Sequence, residues 1–91
     1  MLITKGNLTQ AEYDEIENLM NQALVASNKK YAQKYINSLE ALKRNFHAQV
    51  FYILSELCAN VETASGRVSD KGSKEESCRR DLYKLKNFIE K

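Results

Sequence analysis

Proline is absent from this 91-residue sequence, and glycine occurs only three times. These residues are the strongest local interruptions of regular backbone, so their scarcity argues against a fold made of many short turns. The glycines are Gly6, Gly66 and Gly72, which leaves residues 7–65 without a strong breaker and rich in helix formers. The sequence therefore predicts an all-α fold in a single domain.

Long hydrophobic runs are also missing. The longest apolar run is Val50–Leu54, five residues, whereas a membrane-spanning helix needs about 20. The first residues lack the hydrophobic stretch of a secretory signal. We therefore expect a cytoplasmic protein without a membrane partner. In that compartment two cysteines are expected to be free thiols and not a disulfide.

Side chains for metal binding and catalysis are few. His47 is the only histidine and there is no C-x-x-C motif. His47 and Cys58 would lie about 16 Å apart on one helix, too far to share a metal. No nucleophile motif and no glycine-rich phosphate loop is present. We predict no enzyme activity, no metal, no cofactor and no small-molecule substrate.

Charge is unevenly distributed along the chain. Residues 1–28 carry one lysine against four acidic residues, whereas residues 29–91 carry 13 basic and 8 acidic side chains. Basic residues fall on two outer helix faces that could bind a polyanion: Lys30, Lys34, Arg44, Arg80 and Lys84. Interspersed acids such as Asp81 favour an ordinary solvated surface. Binding of nucleic acid through these faces stays open as an alternative.

The first helix has a clear start signal. Thr9 and Glu12 form a T-x-x-E capping box after an N-terminal extension over residues 1–8. Apolar residues then recur at steps of three or four along one face, and a helix is predicted over residues 9–27. These apolar residues are Tyr13, Ile16, Met20 and Leu24.

A long second helix is predicted over residues 29–65. Its apolar positions repeat every 3.6 to 3.7 residues on average, which is the helical period. A break near Asn45 is the alternative and would give a four-helix bundle. We favour one long helix because the apolar stripe keeps its phase there. A loop is predicted over 66–72. A third helix is predicted over 73–90 and begins with a Ser73–Glu76 capping box. The three helices together form an antiparallel arrangement.

This arrangement leaves part of the long helix uncovered. Helix 1 is too short to reach an apolar stripe that extends over more than about 20 Å. We predict that the stripe is an oligomer or partner interface, with a homodimer as the expected state. Its residues are Phe46, Val50, Ile53, Leu57 and Val61. Cys58, on the side of the long helix that faces helix 3, and Cys78 are expected to meet as a pair of core thiols. The arginines next to Cys78 could lower its pKa and make it more reactive.

These features are typical of small helical accessory proteins. Phage- or plasmid-type inhibitors, secretion chaperones and bacteriocin immunity proteins share this general pattern, and no motif selects one of them. The predicted function is a non-enzymatic protein-binding module that regulates or inhibits a protein partner by occlusion. The alternative is a nucleic-acid-binding accessory protein that uses the basic outer faces.

Overall fold

The computed structural model describes residues 4–26, 28–65 and 71–90, with the backbone alone at 71–74. All longer elements in these ranges are helices, and the all-α prediction is confirmed. They are α1 (Gln10–Val25), α2 (Lys29–Lys43), α3 (Ala48–Ala64), α4 (Lys71–Leu85) and a 3₁₀ turn, η1 (Lys86–Phe88). No helix in the described ranges combines the length and apolarity needed to cross a bilayer.

Helix α1 starts with the predicted capping box. The Thr9 hydroxyl accepts a hydrogen bond from the Glu12 N–H at 3.2 Å, and the Glu12 carboxylate accepts one from the Thr9 N–H at 2.8 Å. Leu8 and Tyr13 flank this box and are both buried, which is the arrangement of a hydrophobic staple. The helix ends at Val25, two residues before the predicted end at Ser27, which lies outside the described residues.

The predicted single helix over 29–65 is wrong, because α2 ends at Lys43 and α3 begins at Ala48. The alternative break near Asn45 lies within this interruption. The Asn45 N–H donates to the Leu42 carbonyl at 3.0 Å and the Phe46 N–H to the Lys43 carbonyl at 3.1 Å, which closes a turn. A continuous helix of this length would extend about 55 Å, whereas the longest dimension of the structure is 37 Å.

The N-terminal segment is part of the fold. Residues 4–9, named the N-terminal strap here, are largely extended and pair in parallel with two distant segments. Lys5 exchanges backbone hydrogen bonds with Asn45 and His47, at 3.1 and 3.0 Å. Leu8 exchanges them with Phe88 and Glu90, at 3.0 and 2.7 Å. The strap therefore ties the α2–α3 corner to the C-terminal segment. Residues 1–3 of the predicted extension lie outside the described residues.

The helices enclose one hydrophobic core. Each helix packs on its neighbour in sequence, and α1 also contacts α3 and α4. The largest fully buried side chains come from all four helices and from the strap: Leu8, Ile16, Met20, Ile36, Leu39, Leu54, Leu57 and Leu85. Burial of these side chains is the main source of stability in such a fold.

The C-terminal boundaries differ slightly from prediction. Residues 66–70 of the predicted loop lie outside the described residues, and Lys71 and Gly72 already belong to α4. Ser73 is therefore inside the helix and is not its N-cap. Helix α4 ends at Leu85, and the tighter turn η1 replaces the predicted last helical turn. This change brings Phe88 and Glu90 alongside the strap.

Candidate binding cleft

The predicted interface stripe has no uncovered face. Its five residues are at most 8% exposed within the single chain: Phe46, Val50, Ile53, Leu57 and Val61. The break before Ala48 turns α3 back against α2, and α4 packs along α3, so the chain covers its own stripe. The physical reason for an oligomer interface at this stripe is therefore removed. Formation of a homodimer stays a prediction.

The predicted thiol pair consists of two core residues. Cys58 and Cys78 are both free and buried. Burial, with the Glu40 carboxylate second, raises the pKa of Cys58 to about 12. Burial, with the Asp81 carboxylate second, raises the pKa of Cys78 to about 11, and Arg79 does not offset these effects. Since the thiolate is the reactive form, neither thiol is activated for nucleophilic chemistry.

The predicted polyanion-binding residues are on the surface but differ in their surroundings. Lys30, Lys34 and Arg44 are exposed on or next to α2. Arg80 on α4 is exposed and has no ion pair with any described residue. Lys84, in contrast, lies 3.7 Å from Asp81 and 4.0 Å from Glu56. The residues therefore form two separate faces, and acids partly neutralise the second.

Asp81 is not on an exposed face, contrary to the sequence interpretation. It is 4% exposed at the contact between α3 and α4. Its Oδ2 accepts a hydrogen bond from the Asn60 amide at 2.8 Å. Burial raises the pKa of Asp81 even though this hydrogen bond and Lys84 stabilise the carboxylate. The group is a satisfied polar contact between two helices.

A cleft lies between the first half of α1 and the C-terminal segment. Its volume is about 680 Å³ and it is open to solvent. Four α1 residues form one wall and three residues after α4 form the other: Gln10, Tyr13, Asp14 and Glu17, with Lys86, Ile89 and Glu90. This cleft has no counterpart among the sequence predictions, because almost the whole chain separates its two walls in sequence.

Both walls are held in place by contacts with the strap. The capping box holds the start of α1, and Lys5 Nζ lies 2.6 Å from the Glu12 carboxylate in the same turn. Hydrogen bonds from Lys5 and Thr9 outweigh the opposing effect of burial and lower the pKa of Glu12. The opposite wall is held where Leu8 pairs with Phe88 and Glu90. The strap therefore positions the cleft from both sides.

Tyr13 places a free hydroxyl in the cleft. The residue is only 5% exposed, and its ring belongs to the hydrophobic core. No described residue forms a hydrogen bond with its hydroxyl. Every fully buried side-chain oxygen or nitrogen in the described part has a hydrogen-bond partner, so the Tyr13 hydroxyl is not a fully buried atom. The hydroxyl is therefore accessible from the cleft. Burial, then the charges of Glu17 and Asp14, raise the pKa of Tyr13, so the phenol stays protonated at neutral pH.

The cleft carries an excess of negative charge. Asp14, Glu17 and Glu90 line it, and none of them forms an ion pair with a described residue. Asp14 accepts one hydrogen bond, from the Gln10 amide at 2.9 Å. Lys86 also lines the cleft, but its Nζ lies 5.5 Å from the centre of the Tyr83 ring. Three carboxylates thus stand beside the apolar side chain of Ile89 without a cationic partner.

Among the described residues, no three His, Cys, Asp or Glu side chains are grouped so that they could hold a metal ion. His47 lies outside the cleft, where its Nδ1 is 3.0 Å from the Thr4 hydroxyl. The sequence signal for the cleft was the excess of acidic residues over residues 1–28.

Comparison with known proteins adds no relationship. No protein family, curated protein or solved structure matches this chain.

Proposed function

We propose that this chain is a non-enzymatic protein-binding module that docks a basic segment of a partner protein in the cleft between α1 and residues 86–90. The observation that carries the proposal is the set of three unpaired carboxylates beside an apolar surface. Charge complementarity of this kind steers association and selects the partner. A docked segment would occlude the partner's own surface, which accounts for a regulatory or inhibitory role.

The expected complex is weak and transient. Ion pairs at an exposed rim contribute about 0–1 kcal/mol each, and apolar contact adds about 25 cal/mol for each Å² buried. A cleft of about 680 Å³ receives a few side chains and not a whole domain. Small interfaces below about 1,200 Å² are typical of transient complexes. We therefore expect dissociation constants in the micromolar range.

Nuclear magnetic resonance titration with short peptides tests the proposal. Three peptides of equal length and equal apolar content, one basic, one neutral and one acidic, are added to the labelled protein. We expect the basic peptide alone to shift amide resonances of residues 10–17 and 86–90. Equal shifts with all three peptides, or shifts confined to another surface, would contradict the proposal.

A pair of charge-reversed variants supplies the control. The double substitution Asp14→Lys with Glu17→Lys reverses one wall of the cleft and should abolish binding of the basic peptide. The double substitution Glu62→Lys with Glu76→Lys makes the same net-charge change at exposed positions of α3 and α4. It should bind nearly as well as the parent protein. Equal loss of peptide binding in both variants would show that only the overall charge of the protein matters, and it would refute a specific cleft.

Nucleic-acid binding is the second candidate, favoured by one feature of α4. Arg79 and Arg80 are exposed without ion pairs in the described structure, one helical turn from Tyr83, which is 67% exposed. Exposed aromatic rings beside cations can stack on bases of single strands. Fluorescence anisotropy with a short single-stranded DNA tests this candidate. Affinity that falls steeply with salt and is lost on Arg80→Glu would support it.

A further inference from the structure

We infer that the cleft between α1 and residues 86–90 is specific for the guanidinium group of an arginine in the partner's docked segment, in preference to a lysine ammonium. The inference rests on the proposed function of the cleft and names the chemistry of its ligand. It is carried by the unpartnered hydroxyl of Tyr13 and by the position of acceptors on both walls.

Hydrogen-bond acceptors lie on both walls of the cleft. Asp14 and Glu17 are on the α1 wall, and Glu90 is on the opposite wall. A guanidinium has five N–H donors fixed in one plane and can reach acceptors on two sides together. An ammonium is compact and has three donors on a single atom. Acceptors spread over two walls therefore fit the larger planar cation better.

Tyr13 supplies a further, uncharged acceptor in the cleft. The residue is more than nine-tenths buried, its ring is held in the core, and its hydroxyl has no partner among the described residues. A rigid phenol oxygen can accept an N–H from a ligand in the cleft. The carboxylates of Glu17 and Asp14 are close enough to raise the pKa of this phenol. The cleft thus offers a guanidinium a neutral acceptor in addition to the carboxylates that line it.

The lysine that lines the cleft does not pair with the acids there. Lys86 lines the cleft, yet its Nζ lies 5.5 Å from the Tyr83 ring centre and forms no ion pair with the three acids. An ammonium is strongly hydrated, so apolar surface beside a carboxylate is a poor site for it. A guanidinium is more weakly hydrated and packs flat against apolar side chains such as Ile89. The same cleft therefore favours arginine.

Binding of three matched peptides to the full chain tests the inference. They differ at one central position, which is arginine, lysine or citrulline, the last being a neutral analogue of arginine with nearly the same shape. Dissociation constants are measured by resonance titration. We expect the arginine peptide to bind at least about fivefold more tightly than the lysine peptide, because its charged guanidinium donates an additional hydrogen bond. The citrulline peptide should bind more weakly than both.

Two variants identify the source of the preference. Tyr13→Phe keeps the buried ring and removes only the hydroxyl, so the arginine-to-lysine preference should fall to less than about twofold. Tyr52→Phe is the matched control, because Tyr52 is exposed on α3 and does not line the cleft. Its preference should equal that of the parent protein. Glu17→Gln is a second cleft variant that does not depend on the core position of Tyr13, and it should weaken the arginine peptide more than the lysine peptide.

The outcomes separate the two proposals. Equal affinity for arginine and lysine peptides, with citrulline weaker, would overturn the guanidinium inference and leave the proposed basic-segment function standing. An unchanged preference in Tyr13→Phe would also overturn the inference, because the hydroxyl would then have no role. Absence of binding by both charged peptides, or equal binding by citrulline, would overturn both proposals.

Discussion

The substitution Ala48→Gly should stabilise this protein. Ala48 is the first residue of α3 and has a φ of 57°, the left-handed region. There the Cβ approaches the following carbonyl oxygen, which costs about 1–2 kcal/mol for a residue with a side chain. Glycine avoids this contact but loses about 0.5–1 kcal/mol through its larger unfolded-state freedom. The net gain is about 0.5–1 kcal/mol, or roughly 2–8 °C in melting temperature for a domain of this size.

The same substitution elsewhere in α3 supplies the control. Ala59 is exposed in the middle of the helix and is not among the residues with positive φ. Ala59→Gly should therefore destabilise by about 1 kcal/mol, the ordinary helix propensity difference. Urea unfolding followed by far-ultraviolet circular dichroism measures the free energy of unfolding of both variants. The comparison holds when the free energy falls with urea concentration at the same slope in each variant. Similar destabilisation by both substitutions would refute the argument from backbone strain at the α2–α3 corner.

Three further predictions concern the core, the strap and the thiols. Leu57→Ala, in the fully buried stripe, should lower the free energy of unfolding by about 2–5 kcal/mol in urea titrations; a near-neutral result would mean that the stripe is not enclosed. Glu12→Gln should destabilise by less than about 1 kcal/mol at neutral pH. Because folding lowers the pKa of Glu12 from 4.5, the stabilisation from Lys5 exists above that value and is lost as pH falls through the folded-state pKa. A difference from the parent protein that persists in strong acid would contradict this account. Cys58 and Cys78, with pKa values of about 12 and 11, should react with iodoacetamide far more slowly in the folded protein than in denaturant, and fast labelling of the native state would contradict their burial.

Local signals in the sequence were sufficient for most of the helices. The Thr9–Glu12 capping box and the start of α2 at Lys29 are present as predicted. The apolar face of α1 is buried as predicted, since these elements depend on neighbours a few residues apart. On α2 the prediction was less accurate. Tyr31 has the helical spacing of the apolar stripe but is 59% exposed, while Ile36 is buried. A tyrosine is amphipathic and is a poor marker of the buried face.

The break between α2 and α3 was missed for a geometric reason. The interruption covers residues 44–47, four residues, which is close to one helical turn of 3.6 residues. The apolar positions Leu39, Leu42, Phe46 and Val50 therefore keep a helical spacing across a turn that is not helical. Periodicity reports which residues face the core and cannot show that the backbone between them is continuous. The expectation that the stripe is uncovered followed from this error in the helix.

The cleft and the strap could not be predicted from local patterns. Lys5 pairs with residues near Phe46, and Leu8 pairs with residues near Ile89. Contacts between such distant positions leave no periodic signal in either segment. Asp14 and Glu17 were visible as acids one helical turn apart, but nothing in the sequence indicated that residues 86–90 would face them. The candidate site forms only in the tertiary structure, and the sequence pattern indicated only the acidic residues of its α1 wall.

The strap also sets an order of events during synthesis. Leu8 leaves the ribosome about eighty residues before Phe88 and Glu90, its backbone partners. At about 5–20 residues per second, this delay is roughly 4–16 s. During that time α1 and α2 can already pair, because their contacts are local, while the buried site for Leu8 is incomplete. Leu8 is made early but is thus among the last residues to find its backbone partners. A nascent chain paused in α4 would expose this apolar side chain, which the finished protein buries completely.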